Sequence, residues 1–353
     1  MKILFLAPYP HGHAPSQRFR FELFLKFMEE NEMPYDFQSF LSEKGWHVLY
    51  QPGHQLAKIS AVCSGFVRRF LMLFRLSRYS HVFIHRELAP FGPPVFEWLI
   101  AKVFRKKIIY DYDDAIWMGD QNHENPIWKW LKHRHKVDKT CSWSWKVTAG
   151  NAYLARYAQS HGANSVIFPT VVDTTTHLPS SNKNSLPTIG WTGSHSTLFY
   201  LESILPALKS LAKTHTFRFL VIANKDPKLD LPNYEFVKWS PENEVTTLQQ
   251  MDIGVMPLED TEWAKGKCGF KLIQYLAVGI PAVASPVGVN DQVVLHGKNG
   301  FLASSEIQWE EYLRKLLFEP KLREVMGAQG RQHIVEHYSV ASQKAKFLSL
   351  FDG

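Results

Sequence analysis

Residues 267–290, KCGFKLIQYLAVGIPAVASPVGVN, divide into three pieces. Phe270, Leu272, Ile273, Leu276 and Ala277 fit the apolar face of a helix, Gly279 stops it, and residues 281–284 restart as a short buried strand. A helix starting near Gly269 puts Lys267 and Lys271 in its N-terminal turn. Free backbone N–H groups and the positive end of the helix dipole favour an anion there, and the natural ligand is a phosphate or diphosphate. Two solvated lysines on an ordinary helix would show the same spacing.

Working outward through the second half, residues 188–191 (TIGW) read as a strand, followed by the loop TGSHST and a helix over 198–211. Gly193 and Ser194 in that loop stand at a helix N-terminus suited to a diphosphate. Residues 217–223 (FRFLVIA) form the next strand, with Asn224 and Lys225 at its mouth. Short strands are expected at 234–237 and 255–257 with a helix over 242–251 between them. Gly297 and Gly300 close a turn, and helices are expected at 309–318, 320–330 and 340–350. Residues 182–187 read as a linker.

The first half opens with KILFLA, a continuous apolar run that fits a buried parallel strand. The loop after it carries Gly12, Ser16 and Arg18 before a helix from about 17 to 30. Residues 62–79 place Arg68, Arg69, Arg75 and Arg78 among apolar residues at helical spacing. This is a basic helix that either touches a membrane surface or packs on the sheet with its arginines outward. HVFIH (81–85) is a strand ending at Arg86, a candidate for the acceptor side, and a helix follows over 94–104. IIYDYDDAIW (108–117) is a strand running into Asp111, Asp113 and Asp114. Asp111 and Asp113 could share a hard cation as a DxD pair. Alternatively Asp113 or Asp114 is a cap for the next helix. Trp128, Trp130, Trp143 and Trp145 bracket the basic run 132–136, a pattern suited to a headgroup layer.

The chain has 353 residues, 45% of them apolar, enough for two cores. No uninterrupted apolar run of membrane-spanning length occurs, and MKILFLAPYP passes from strand to turn without the form of a signal peptide. Three scattered cysteines without metal spacing point to reduced thiols and a cytoplasmic protein. A net charge of +7 favours anionic partners, either nucleotide phosphates or an anionic membrane surface. Nucleic acid is not expected, because no recognised nucleic-acid motif is present.

GIPAVAS (279–285) resembles the closing strand of the nucleotide-sugar motif of retaining GT-B glycosyltransferases, family 4, and VTAGNAYLARYA (147–158) and VIFPTVVD (166–173) resemble other steps of that family. The two glutamates of the family motif fall on Gly266 and Gln274, with Glu259, Asp260 and Glu262 upstream as substitutes. The resemblance implies an α/β chain of two doubly wound Rossmann-like domains facing a cleft. These would be an acceptor-side domain over 1–180, a nucleotide-sugar domain over 181–337, and a helix over 338–353 crossing back. It implies transfer from a UDP- or GDP-linked sugar to a hydroxyl acceptor, a lipid-linked or polysaccharide precursor, with retention, and without metal or cofactor. The donor would be held by Gly193, Ser194, Asn224, Lys267, Lys271 and Gln274. Gly12, Ser16, Arg18 and Arg86 would face the acceptor, with Asp113 and Asp114 as catalytic carboxylates, at the inner face of a membrane. Rival readings are a GT-B-type epimerase, a metal-dependent DxD transferase of the GT-A class, and a non-catalytic nucleotide-sugar or membrane-binding protein.

Overall fold

The computed structural model describes residues 2–49, 51–118, 131–180 and 185–352. Trp128, Trp130 and residues 182–184 of the expected linker lie outside these. The chain forms two compact units, Met1–Thr170 with Lys344–Gly353, and Val171–Gln343.

Unit 1 holds a six-stranded parallel sheet of β1 (Ile3–Ala7), β2 (Tyr35–Ser39), β3 (His81–His85), β4 (Lys107–Tyr112), β5 (Lys146–Ala149) and β6 (Ser165–Ile167), in the order β2-β1-β3-β4-β5-β6. β1 and β3 are buried along their whole length, as continuous apolar strands covered on both faces must be. Each buried Leu, Ile or Phe of these strands contributes roughly 1.5–3 kcal/mol. The C-terminal segment packs into this core through two rings: Phe347 stacks on Phe24 with ring centroids 4.5 Å apart, and Phe351 meets Phe5 at 6.0 Å.

The basic helix runs over Gln55–Leu73, starting earlier than the arginine pattern indicates. Its arginines do not all point outward. Arg69 is fully buried and donates to the carbonyls of Ala7 (2.8 Å), Gln38 (3.0 Å) and Leu88 (3.0 Å). Burial pushes its pKa down to about 9. Arg69 thus ties the ends of β1 and β2 to the segment after β3, and the outward face of the helix is left largely apolar. In the basic run 132–136, Lys136 is likewise internal, bonded to Ala89 O (2.7 Å) and Glu87 (2.6 Å).

Unit 2 holds a second six-stranded parallel sheet of β7 (Thr188–Gly193), β8 (Arg218–Ala223), β9 (Tyr234–Lys238), β10 (Ile253–Met256), β11 (Ala282–Ala284) and β12 (Gly300–Leu302), ordered β12-β11-β10-β7-β8-β9. The helix Phe270–Ala277 packs so closely on β10 that a Cβ at Gly254 would lie 2.3 Å from the Tyr275 ring. The Tyr275 hydroxyl accepts from Thr192 N at 2.9 Å and locks that helix to the end of β7. Gly279, at φ +76°, ends the helical turn as its position in the sequence requires. No helix among the described residues is long and apolar enough to cross a membrane.

Candidate functional site

In unit 2 the sheet order reverses between β7 and β10, so the loops at the carboxyl ends of these strands diverge and leave a crevice for a ligand. β7 ends at Gly193, and Ser194 opens the helical segment His195–Ile204. A Cβ at Gly193 would come within 2.4 Å of the Trp191 ring and 2.9 Å of Lys271 Cε. Only glycine lets the backbone pass there.

Lys271 stands in the first turn of Phe270–Ala277, with its ammonium 4.4 Å from the Trp191 ring centroid and 3.5 Å from Thr197 Oγ1. Burial and then the charge of Lys267 push its pKa down to about 7. Lys267, one turn earlier, has its ammonium 5.2 Å above the Trp263 ring. Gly269 caps the helix at φ +66° without a side chain, leaving the first-turn N–H groups to a ligand or water. Two cations, a helix N-terminus and a glycine-walled strand end therefore converge on one place in unit 2, and that place suits an anion.

The other expected donor residues are placed differently. Ser194 Oγ lies 2.8 Å from Ser196 Oγ, in the loop itself. Asn224, just past β8, accepts from His195 N (2.7 Å) and donates to His195 Nδ1 (3.0 Å), so its amide shapes that loop. Gln274 is buried and donates to Glu244 Oε1 at 3.2 Å. Glu244, buried at the start of the helix Glu244–Leu248, is thus the carboxylate beside the second motif position. Glu259, Asp260 and Glu262 are exposed instead, and the latter two pair with Lys265 at 3.6 and 2.7 Å. Nothing local in the sequence marks Glu244, which meets Gln274 only through the fold.

In unit 1 the order reverses between β1 and β3. The loop after β1 is held from beneath: Gln17 accepts from Tyr9 N (2.8 Å) and donates to Tyr9 O (3.0 Å), and Glu22 accepts from Gly12 N (2.8 Å). Gly12 takes φ +82°. Ser16 and Arg18 are half-buried on the helix Pro15–Arg20, with the Arg18 guanidinium 4.7 Å over the Phe19 ring.

At the end of β3, Arg86 adopts the left-handed conformation, φ +58°, at a cost of about 1–3 kcal/mol. Its N–H donates to Asp111 O (2.7 Å) and its carbonyl accepts from the Tyr110 hydroxyl (2.7 Å). The bend aims the guanidinium at Asp113, which accepts through Oδ1 from Nε (2.9 Å) and Nη2 (2.7 Å). Burial raises the Asp113 pKa, but Arg86, with His85 and Arg20, holds it below the ordinary carboxylate value. Asp114 accepts from Ala115 N at 3.0 Å in a local turn.

Asp111 has another role. It is fully buried, and its two oxygens accept from Arg20 Nη2 (2.5 Å), Thr148 Oγ1 (2.7 Å) and His85 Nδ1 (2.7 Å). Burial alone would raise its pKa, yet Arg20 and His85 hold it far below the usual range. With both oxygens engaged, Asp111 cannot act as half of a DxD metal site. Sequence reading missed Arg20 and His85; the single available signal was the position of His85 at the last residue of a buried strand.

Residues 187–318 match the family model described as glycosyl transferases group 1. No curated protein matches the chain by sequence. Among solved structures the chain is similar to sucrose-phosphate synthase from Thermosynechococcus elongatus, with TM-score 0.74, 12% identity, and 99% and 98% of the two chains covered. It is also similar to Anabaena HepE in complex with UDP and glucose, with TM-score 0.67, 13% identity and full coverage of both chains. A glycosyltransferase from Rickettsia africae gives TM-score 0.67 at 11% identity, covering 99% and 97%. The fold is the GT-B fold that the sequence resemblance implies, which excludes the GT-A alternative.

Proposed function

From the GT-B fold and the group 1 glycosyltransferase segment within it, we propose that this chain is an enzyme moving a hexose-like unit from a UDP- or GDP-linked sugar to a hydroxyl acceptor, with retention as in family 4. One observation carries the reading. Lys271, which forms no ion pair among the described residues, sits with Lys267 at a helix N-terminus beside the glycine seat of β7. As the bond between sugar C1 and the β-phosphate oxygen breaks, negative charge grows on the diphosphate. Two ammonium groups and oriented backbone N–H groups stabilise that charge without a metal. Gly193 and Ser194 shape the donor seat, Asn224 fixes its loop, and Gln274 with Glu244 supports it from within. Gly12, Ser16, Arg18 and the Arg86–Asp113 pair form the acceptor side, with Asp113 and Asp114 as the carboxylates for the acceptor hydroxyl. Binding of UDP and UDP-glucose by HepE supports the donor class.

The acceptor proposed is a lipid-linked or polysaccharide precursor, met at the inner face of an anionic membrane. The support is the outward face of Gln55–Leu73 and the turn after it. Leu56 (85% exposed), Phe74 (72%), Ile59, Val67, Phe70 and Leu71 stand in solvent, with Arg75 and Arg78 exposed beside them. No Asp or Glu occurs between Glu43 and Glu87. An apolar helix face ringed by cations complements a negatively charged bilayer surface.

A second reading, a non-catalytic nucleotide-sugar binder, draws on Gly266 and the buried Gln274 in place of both motif glutamates. A thermal-shift panel of nucleoside diphosphates and nucleotide sugars, with and without chelator, tests the donor site. A shift with one base that survives chelator is the expected result. No shift with any nucleotide, or one that needs metal, overturns the metal-free site.

A further inference from the structure

The loop after β1 carries a second cluster, apart from the cations of unit 2. His13 in that loop meets the helix Glu43–Leu49, on which Glu43 and His47 are one turn apart and share a face. One nitrogen or oxygen ligand atom from each of the three lies within 4.8 Å of the others. His13 Nδ1 is 3.0 Å from the carbonyl oxygen of His11, and its Nε2 is 3.0 Å from Glu43 Oε2. Trp46, on the same helix, packs its ring 5.7 Å from that of His13 and 4.8 Å from that of Tyr9, which fixes the imidazole against the helix.

The hydrogen-bond geometry favours a cation at the centre. A carbonyl accepts only from N–H, so Nδ1 carries a proton and a neutral His13 ring presents the lone pair of Nε2 to the cluster. A lone pair facing a carboxylate oxygen at 3.0 Å is repulsive unless a proton or a metal ion lies there. A proton would satisfy His13 and Glu43 alone and leaves the convergence of His47 unaccounted for. Two imidazoles and one carboxylate form the ligand set of a tetrahedral zinc ion with an open position for water, and the Nδ1–carbonyl contact is the outer bond that orients a ligating histidine.

We propose that His13, Glu43 and His47 bind one divalent transition-metal ion of the zinc type, which clamps the loop after β1 to the helix Glu43–Leu49. Ligands would close to about 2.0–2.2 Å from the ion by side-chain rotation. The ion organises a loop of unit 1 and takes no part in binding the donor diphosphate.

The test is calorimetric titration of the chelator-stripped full-length chain with Zn2+ alone, repeated with Co2+ while its visible spectrum is recorded. The expected result is one saturable site and a four-coordinate cobalt spectrum. His47→Ala and Glu43→Gln should each weaken Zn2+ binding by more than about tenfold, the loss already typical of removing an outer supporting residue. Because both substitutions lie at exposed positions, the variants should stay folded. His333→Ala with His337→Ala, which removes another histidine pair one turn apart, should leave the affinity unchanged. Absence of saturable binding by the wild type overturns the proposal. So does affinity unaltered in His47→Ala and Glu43→Gln, or lost only with the His333 and His337 pair.

Discussion

Raising the pH from 6.0 to 8.5 should weaken binding of a nucleotide sugar by about 30-fold, because Lys271 loses its proton across that window. Burial and Lys267 set the Lys271 pKa near 7 in the free protein. With that value the protonated fraction falls from about nine-tenths to about one-thirtieth, a loss of about 2 kcal/mol of binding free energy. The sign follows from burial: the charged form is disfavoured in the empty site, and a diphosphate favours it again, so binding takes up a proton above pH 7. A nucleotide sugar is the ligand to use, because its phosphates do not titrate in this range. Calorimetry in buffers of different ionisation enthalpy reads both affinity and proton uptake. Lys271→Arg should flatten the profile, since a guanidinium stays charged throughout. Lys267→Gln, by removing a like charge, should move the midpoint upward. A wild-type affinity constant over this range, or an unchanged slope in Lys271→Arg, would refute the role given to Lys271.

Gly193→Ala should destabilise unit 2 by about 1–3 kcal/mol, read by denaturant unfolding, because its methyl meets the buried Trp191 ring at 2.4 Å; an unchanged midpoint would show that the close approach relaxes freely. Asp111→Ala should cost about 3–5 kcal/mol, since it leaves Arg20 buried without its carboxylate. The Asp111 pKa is depressed in the folded chain, so its stabilisation is complete above the unfolded value near 4 and fades as pH falls below it. Asp111→Asn should accordingly flatten the acid limb of the stability profile, and an acid limb identical to wild type would contradict this. Phe70→Ser with Phe74→Ser should reduce binding to anionic liposomes by more than about tenfold, given roughly 1.5–3 kcal/mol per buried aromatic side chain. The melting temperature should hold, because both rings are exposed; full liposome binding by the double variant would remove the membrane reading.

What the sequence disclosed and what it hid follow a physical division. Strand β1 and the GIPAVAS stretch were legible because both faces of each strand are buried, which writes a continuous apolar run into the sequence. Gly279 was legible because a helix stop needs a positive φ. β2, YDFQS, was not read as a strand, since it is only half-buried along its whole length and carries no such run. Lys267 and Lys271 could be read together because one short segment supplies both, whereas Gly193 meets Lys271 only through the fold. The site was hidden where the partner comes from far along the chain: Glu244 for Gln274, Arg20 and His85 for Asp111, and Ala7, Gln38 and Leu88 for Arg69. Arg69 is the sharpest case, because helical spacing assigns a charge to the outside by default and only three converging carbonyls hold it inside.

The most direct test of the central claim is release of nucleoside diphosphate from a panel of nucleotide sugars by the 353-residue chain, with and without added Mg2+ or Mn2+ and with hydroxyl acceptors that include polyprenyl-linked sugars. The account predicts release from one donor class, with no need for added Mg2+ or Mn2+, and abolished by Lys271→Met. Tight donor binding without release from any member of the panel, or release that persists in Lys271→Met, would contradict it.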